Sequence, residues 1–134
     1  MKQFSYSRIE KLKSRKQIEH LFLKGKSFGF FPLRVFYMLA PIENDFPVKV
    51  SVGVSKRYFK KAVDRNRIKR LLREAYRTEK GALHIFLKDK NINIAFFISY
   101  TDKVVPELDL IKSKVQLALQ RLIKLLNEEV VTNS

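Results

Sequence analysis

Between Lys56 and Arg77 the chain places ten Lys and Arg residues, at positions 56, 57, 60, 61, 65, 67, 69, 70, 73 and 77, against two acids, Asp64 and Glu74. From about Ala62 to Thr78 the same stretch carries apolar residues at helical spacing, and Gly81 is placed to close a helix. At about 100° per residue, Arg65, Lys69, Arg73, Asn66, Arg77 and Arg70 fall on one arc of roughly 140°. Ile68, Leu71, Leu72, Ala75 and Tyr76 are assigned to the opposite arc. Any fold that contains this segment must seat one side of the helix on a core and leave a cationic ridge on the other.

A solvated surface helix would intersperse both signs and gain pairs from doing so. Here positions 65, 69 and 73 are all positive, at a cost of a few tenths of a kcal/mol per like-charged pair. A polyanionic partner removes that cost. Over residues 65–73 Arg outnumbers Lys by four (65, 67, 70, 73) to one (69); its planar fork suits bidentate phosphate contacts and base stacking. Nucleic acid therefore fits the ridge better than solvent does. A membrane surface fits less well, because the apolar arc is needed for the core.

The rest of the composition agrees. The 134 residues carry a net charge of +15, with a pI near 10.2, and fit a single domain over 1–134 with short flexible ends at about 1–5 and 129–134. Apolar residues make up 46%, including eleven Phe and five Tyr, too many for a disordered basic tail. There is no Cys, which excludes disulfides and thiolate metal sites. The N-terminal stretch MKQFSYSRIEKLKSRK lacks the apolar core of a secretory signal. Apolar runs such as Ile94 to Ile98 are far short of the ~20 residues of a spanning helix. A cytoplasmic location is the expectation.

Along the chain, Ser14-Arg15-Lys16-Gln17 has the form of a capping box, followed by Ile18, Leu21 and Phe22 at helical spacing and by Gly25 as a stop. Leu33 to Leu39 and Lys49 to Ser55 read as two strands joined by a turn over 42–47, hence an antiparallel hairpin. Ile92, Ile94, Phe96 and Ile98 alternate as a third strand. After Pro106, Leu108, Ile111, Val115, Leu119, Leu122 and Leu126 mark a closing helix. Asp64 is placed to cap the basic helix. The predicted order is α-β-β-α-β-α, an α/β (α+β) sheet with helices packed on it.

The string from Ala62 to Ala75, AVDRNRIKRLLREA, resembles the signature of the bacterial ribonuclease P protein family: Arg-Asn-Arg followed by Ile-Lys-Arg-Leu. The preceding strand, Val50 to Val54, then Ser55-Lys56-Arg57, is similar to the family's basic pair after a strand. Arg8-Ile9-Glu10-Lys11-Leu12, then Phe22 and Gly25-Lys26-Ser27, look like the family's opening. The resemblance covers roughly residues 4–126.

It implies a fold like that of the second domain of ribosomal protein S5, with a left-handed βαβ crossover where chain geometry alone predicts a right-handed one. It implies that Arg65, Asn66, Arg67, Lys69, Arg70 and Arg73 face a catalytic RNA subunit, which carries out the phosphodiester hydrolysis with Mg²⁺. It also implies a cleft between the first helix and the open sheet face for the 5′ leader of precursor tRNA. Phe22, Phe36, Lys56 and Arg57 match that cleft, with Arg34 beside Phe36, and Phe97 and Ser99 border it. Ile18 stands where an aromatic is common. A second departure is Tyr58-Phe59-Lys60-Lys61, where many members have a shorter Gly-containing stretch.

On this reading the chain is the accessory subunit of an endoribonuclease and supplies no catalytic residue and no metal ligand; His20 and His84 are isolated, and the acids between Glu10 and Asp109 are scattered singly. Its partners are the catalytic RNA and precursor tRNA, with no membrane and no further protein. The alternatives are a structural rRNA-binding protein without turnover, and a DNA-binding module using the same helix in a major groove.

Overall fold

A computed structural model of the chain describes residues 15–40 and 48–133. Strand β4 (Asn93–Tyr100) organises them. Its residues Ile94, Phe96, Ile98 and Tyr100 are buried on one face, so a neighbour on each edge is needed to satisfy its backbone away from water. β2 (Leu33–Ala40) pairs antiparallel on one side, with Val35 opposite Ile98 and Phe36 opposite Phe97. β3 (Val48–Val54) pairs parallel on the other, with Val50 opposite Phe96 and Val52 opposite Ile98. β1 (Lys26–Phe30) adds antiparallel to the free edge of β2, giving the order β1-β2-β4-β3.

Four helices complete the described elements: α1 (Arg15–Lys24), α2 (Ala62–Glu79), α3 (Gly81–Lys90) and α4 (Leu108–Asn133). On one sheet face, Ile68, Leu72, Ala75 and Tyr76 of α2, Leu83 and Leu87 of α3, and Ile111, Val115, Leu119, Leu122 and Leu126 of α4 join the inward strand residues in one core. The Tyr76 ring meets Phe96 edge-on at 5.7 Å. α1 lies on the other face, where Phe22 touches Phe36 and Phe97. Gly25 ends α1 because it runs against β2: a Cβ there would lie 2.9 Å from the Tyr37 carbonyl oxygen.

The α/β (α+β) class agrees with expectation, but several elements differ. The strands 33–39 and 49–55 are not a hairpin: β2 and β3 flank β4 and do not pair. The doubly apolar β4 is the better partner for both, and the expected turn over 42–47 lies outside the described residues. β1 is an addition to the predicted order; KSFGF carries only two aromatics and a glycine, Phe28 and Phe30 facing the core.

Gly81 does not follow the basic helix as its stop but opens α3, after α2 ends at Glu79. α3 closes at Asn91, whose left-handed backbone (φ 54°, ψ 48°) returns its N–H to Lys88 O at 3.2 Å. Asp64 does not cap α2. Lys61 occupies that position without a side-chain cap, and Asp64 sits in the first turn, where a negative charge favours the helix dipole. α4 runs on through Asn133, over the stretch 129–133 expected to be loose. The capping box at Ser14 and the flexible end 1–5 lie outside the described residues.

At the end of β4, the buried Tyr100 hydroxyl donates to the Val104 carbonyl. Burial, then the nearby Asp102 carboxylate, pushes its pKa up to about 12. Because the folded value is raised, the neutral phenol's contribution to stability is complete below the unfolded value of about 10 and is lost as pH rises through about 12. Denaturant titrations should therefore show folding free energy falling above pH ~10. Tyr100→Phe should blunt that fall while costing about 1 kcal/mol at neutral pH. An identical alkaline limb in the variant would show that Tyr100 is not its source.

Candidate nucleic-acid interface

The α2 ridge forms from a simple imbalance. Fully burying a large apolar side chain contributes about 1.5–3 kcal/mol, and Ile68, Leu72 and Tyr76 are all fully buried. Like-charge repulsion along the outer face costs a few tenths per pair, so seating the apolar side wins. The exposed crest consists of Asn66, Arg67, Arg70 and Arg73. Among the described residues, none of Arg67, Arg70 and Arg73 forms an ion pair with a carboxylate.

Two residues of the predicted arc sit elsewhere. Arg65 and Lys69 are half-buried at the border of the seated side, because Tyr76 lies between them on the helix circumference and turns that edge inward. Arg65 is also a staple: its Nη1 donates to the carbonyls of Phe59 and Lys60, each at 2.8 Å, fixing the loop that enters α2. Arg77 is held by Glu74, through Nε–Oε2 at 3.0 Å and Nη2–Oε1 at 2.6 Å. That bond holds the Glu74 carboxyl below its usual range.

The second surface is the sheet face opposite the core. Its central row reads Ser27, Phe36, Phe97, Ser51 across the four strands, and the next row Gly29, Arg34, Ser99, Gly53. Phe22, 45% exposed on α1, stands edge-on to Phe36 at 4.8 Å and to Phe97 at 5.0 Å. Ile18, one turn earlier on α1, is half-buried. Arg34 donates from Nη2 to Ser27 Oγ at 3.1 Å and holds its guanidinium carbon 5.8 Å from the Phe36 ring centroid. Gly53 is required here because a Cβ would collide with the Phe97 ring. The result is an aromatic cluster beside a shallow floor of Ser and Gly, with a cation at its rim.

The structure thus brings Ile18, Phe22, Arg34 and Phe36 to one surface and adds Phe97 at its centre. Lys56 and Arg57 are exposed just past the end of β3, beyond the aromatic cluster, with Arg57 N–H donating to Ser55 Oγ at 3.1 Å. Phe97 could have ranked higher from sequence by parity alone, since it alternates with the buried run and shares a row with Phe36. Gly53 carries no sequence signal beyond its place in a strand. Tyr76 and His84 share a hydrogen bond at 3.0 Å, a packing role for His84, while His20 is exposed on α1. Among the described residues, no three His, Asp or Glu side chains gather as a metal site. None of the described helices is long and apolar enough to cross a membrane.

Fold and site together define a class: a mixed α/β protein that keeps one sheet face for a helical core and turns an aromatic, arginine-rimmed face outward beside a cationic helix. Solved ribonuclease P proteins share the fold. That of Thermotoga maritima matches with a TM-score of 0.66 at 21% identity, over 84% of this chain and 96% of that one. That of Staphylococcus aureus matches at 0.64 and 18%, over 84% and 94%. The family model described as Ribonuclease P matches residues 6–106. The ribonuclease P protein component of Porphyromonas gingivalis is 34% identical over 119 residues, covering 89% of this chain and 87% of its own length. That of Chlorobaculum tepidum is 33% identical over 125 residues, covering 87% and 81%. The chain belongs to the ribonuclease P protein component family.

Arg65 and Arg70 should separate cleanly in thermal melts. Arg65→Met leaves two loop carbonyls without their donor and should cost about 1–2 kcal/mol. Arg70→Ala, on the open crest, should stay within about 0.5 kcal/mol of the parent. Equal melting temperatures for both variants would show that the Arg65 staple contributes nothing.

Proposed function

We propose that this chain is the protein subunit of ribonuclease P, binding the catalytic RNA through the α2 crest and the 5′ leader of precursor tRNA on the open sheet face. The observation that carries this reading is the crest itself: Arg67, Arg70 and Arg73 have no carboxylate partner among the described residues and match the family's motif. Arg65 and Lys69 flank it and add their remaining donors. Single-stranded RNA is held by base stacking and a positive groove, and Phe22, Phe36 and Phe97 with Arg34, Lys56 and Arg57 supply both.

The protein's work is to bind and orient. Its cations lower the repulsion between leader phosphates and the RNA subunit, and its aromatics fix the unpaired strand. Mg²⁺, held by the RNA subunit, supplies the activated water and the stabilisation of the leaving oxygen. The chain itself contributes no nucleophile or general base. On this reading the holoenzyme is an endoribonuclease of the cytoplasm that removes tRNA leaders with one RNA and this one protein, without a membrane.

Cleavage of precursor tRNA by the RNA subunit at low Mg²⁺, with and without the protein, tests the proposal. Stimulation is expected; RNA binding without stimulation would point instead to a structural rRNA-binding role. Replacing Arg67, Arg70 and Arg73 together by Ala should weaken RNA-subunit binding and reduce the slope of log K against log salt by about 0.7–0.9 for each phosphate no longer neutralised. An unchanged slope would mean that the crest does not meet phosphate.

Phe36→Ala should weaken precursor tRNA by about 1–3 kcal/mol, the worth of one stacked base, and leave mature tRNA unaffected. Equal losses on the two substrates would remove Phe36 from the leader path.

A further inference from the structure

Past the end of β3, an exposed aromatic side chain is flanked by cations from two separate loops. Tyr58 is 38% exposed, with the Arg57 guanidinium carbon 5.9 Å and Lys103 Nζ 5.6 Å from its ring centroid. The meeting is built into the fold. Next to Tyr58, the buried Phe59 ring packs 6.3 Å from Tyr100, and its carbonyl is pinned by Arg65. Next to Lys103, the Val104 carbonyl accepts from the Tyr100 hydroxyl, and the Lys103 N–H donates to Asp102 Oδ1 at 2.7 Å. Thr101 anchors the same loop through its N–H and hydroxyl, both donated to the Pro32 carbonyl at 2.8 and 2.9 Å.

Tyr100 thus holds both loops by their inner residues and leaves Tyr58 and Lys103 facing solvent. Packing does not explain Tyr58, because Phe59 already supplies the core contact from this loop. An exposed ring with positive charge on hand offers a nucleobase a face to stack on and its phosphates a counter-charge. Lys56 and Arg57, immediately before it, continue the cationic rim of the open sheet face. Ser55 lies four residues, about 13 Å of strand rise, beyond Ser51, which shares a row with Phe36 and Phe97, and Tyr58 follows in the turn past that end. That separation suits different nucleotides of one extended strand.

We infer that Tyr58, with Arg57 and Lys103, forms a second stacking site that takes an unpaired nucleotide of the precursor's leader, farther along than the nucleotide at Phe36 and Phe97. The inference rests on the proposed leader-binding reading and deepens it. It also gives a role to the stretch Tyr58-Phe59-Lys60-Lys61: Phe59 anchors the loop, and Tyr58 is what the loop presents.

The test uses the reconstituted holoenzyme, fluorescently labelled precursors with a graded series of leader lengths, and mature tRNA. Tyr58→Ala should weaken the longer-leader precursors by about fivefold or more, with no change for the shortest leaders or mature tRNA. Tyr58→Phe should bind like the parent, since the ring and not the hydroxyl does the stacking. Lys103→Ala should reduce the salt slope for long leaders by about 0.7, the share of one single-strand phosphate. Unaltered melting curves confirm that the variants fold.

Parent-like binding by Tyr58→Ala at every leader length, in an enzyme that does prefer leaders, would overturn this inference alone. Equal weakening of the RNA subunit or of mature tRNA would overturn it too, by assigning the nucleotide to another RNA. A parent enzyme with no leader preference at all would overturn the functional reading beneath it.

Discussion

The structure depends on the demands of one strand. β4 buries Ile94, Phe96, Ile98 and Tyr100 on a single face and pairs along both edges. Helices α2, α3 and α4 converge on that face, and the chain must leave β3, cross through two helices and return beside it in parallel. The opposite face inherits whatever alternation leaves there. It receives Phe97 in the middle of a row with Phe36, too apolar for open solvent and covered only in part by Phe22. The aromatic surface follows from the strand's parity: a strand central to the core on one side presents its remaining aromatic on the other.

Charge is distributed with the same asymmetry. A net charge of +15 opposes compaction, yet few of the basic residues are neutralised by carboxylates within the described chain. Arg77 is paired with Glu74 and Lys26 with Glu129. Others serve the structure through other contacts: Arg65 on loop carbonyls, Arg121 and Lys114 over the rings of Phe28 and Phe30, and the buried Lys80 near Tyr76. What stays open is concentrated on the α2 crest and past the end of β3. Core burial under α2 outweighs the like-charge repulsion along the crest, so the helix seats with its cationic side outward, and on the proposed reading an RNA partner meets a surface already arranged.

The parts of this arrangement legible in the sequence are those with strong local periodicity. The two arcs of α2, the alternation of β3 and β4, and the heptad-like run of α4 each announce themselves over many residues. Pairing is less legible, because adjacency along the chain favours a hairpin between 33–39 and 49–55, whereas the choice of β4 as common partner depends on burial at both of its edges. Short elements escape for want of signal: β1 has five residues, and α3 buries only Leu83 and Leu87 while Ile85 stays exposed, which blurs its apolar stripe. At the site, an idealised helical wheel places Arg65 and Lys69 on the open ridge. Tyr76, whose ring is drawn inward by Phe96 and His84, shifts the buried stripe toward them and leaves Arg67 on the crest instead. The wheel already sets Tyr76 between Arg65 and Lys69, so assigning it to the opposite arc misplaces the edge of the ridge, and the Phe96 and His84 contacts turn that edge inward.

The loop from Ser55 to Lys61 then links the two surfaces mechanically. At one end it continues β3 and the floor of the open face, where Gly53 lies under Phe97. At the other it enters α2, with Arg65 gripping two of its carbonyls and Phe59 locked against Tyr100. No glycine interrupts it, and the Arg65 bonds and the Phe59 packing would have to break before the α2 crest could tilt relative to the sheet. A crest seated on a folded RNA therefore presents the aromatic face at one fixed angle, and the orienting role proposed for the protein requires that rigidity as much as it requires charge. On the proposed reading, Phe59 and Arg65 thereby bear on recognition by fixing where the α2 crest and the aromatic face stand relative to each other.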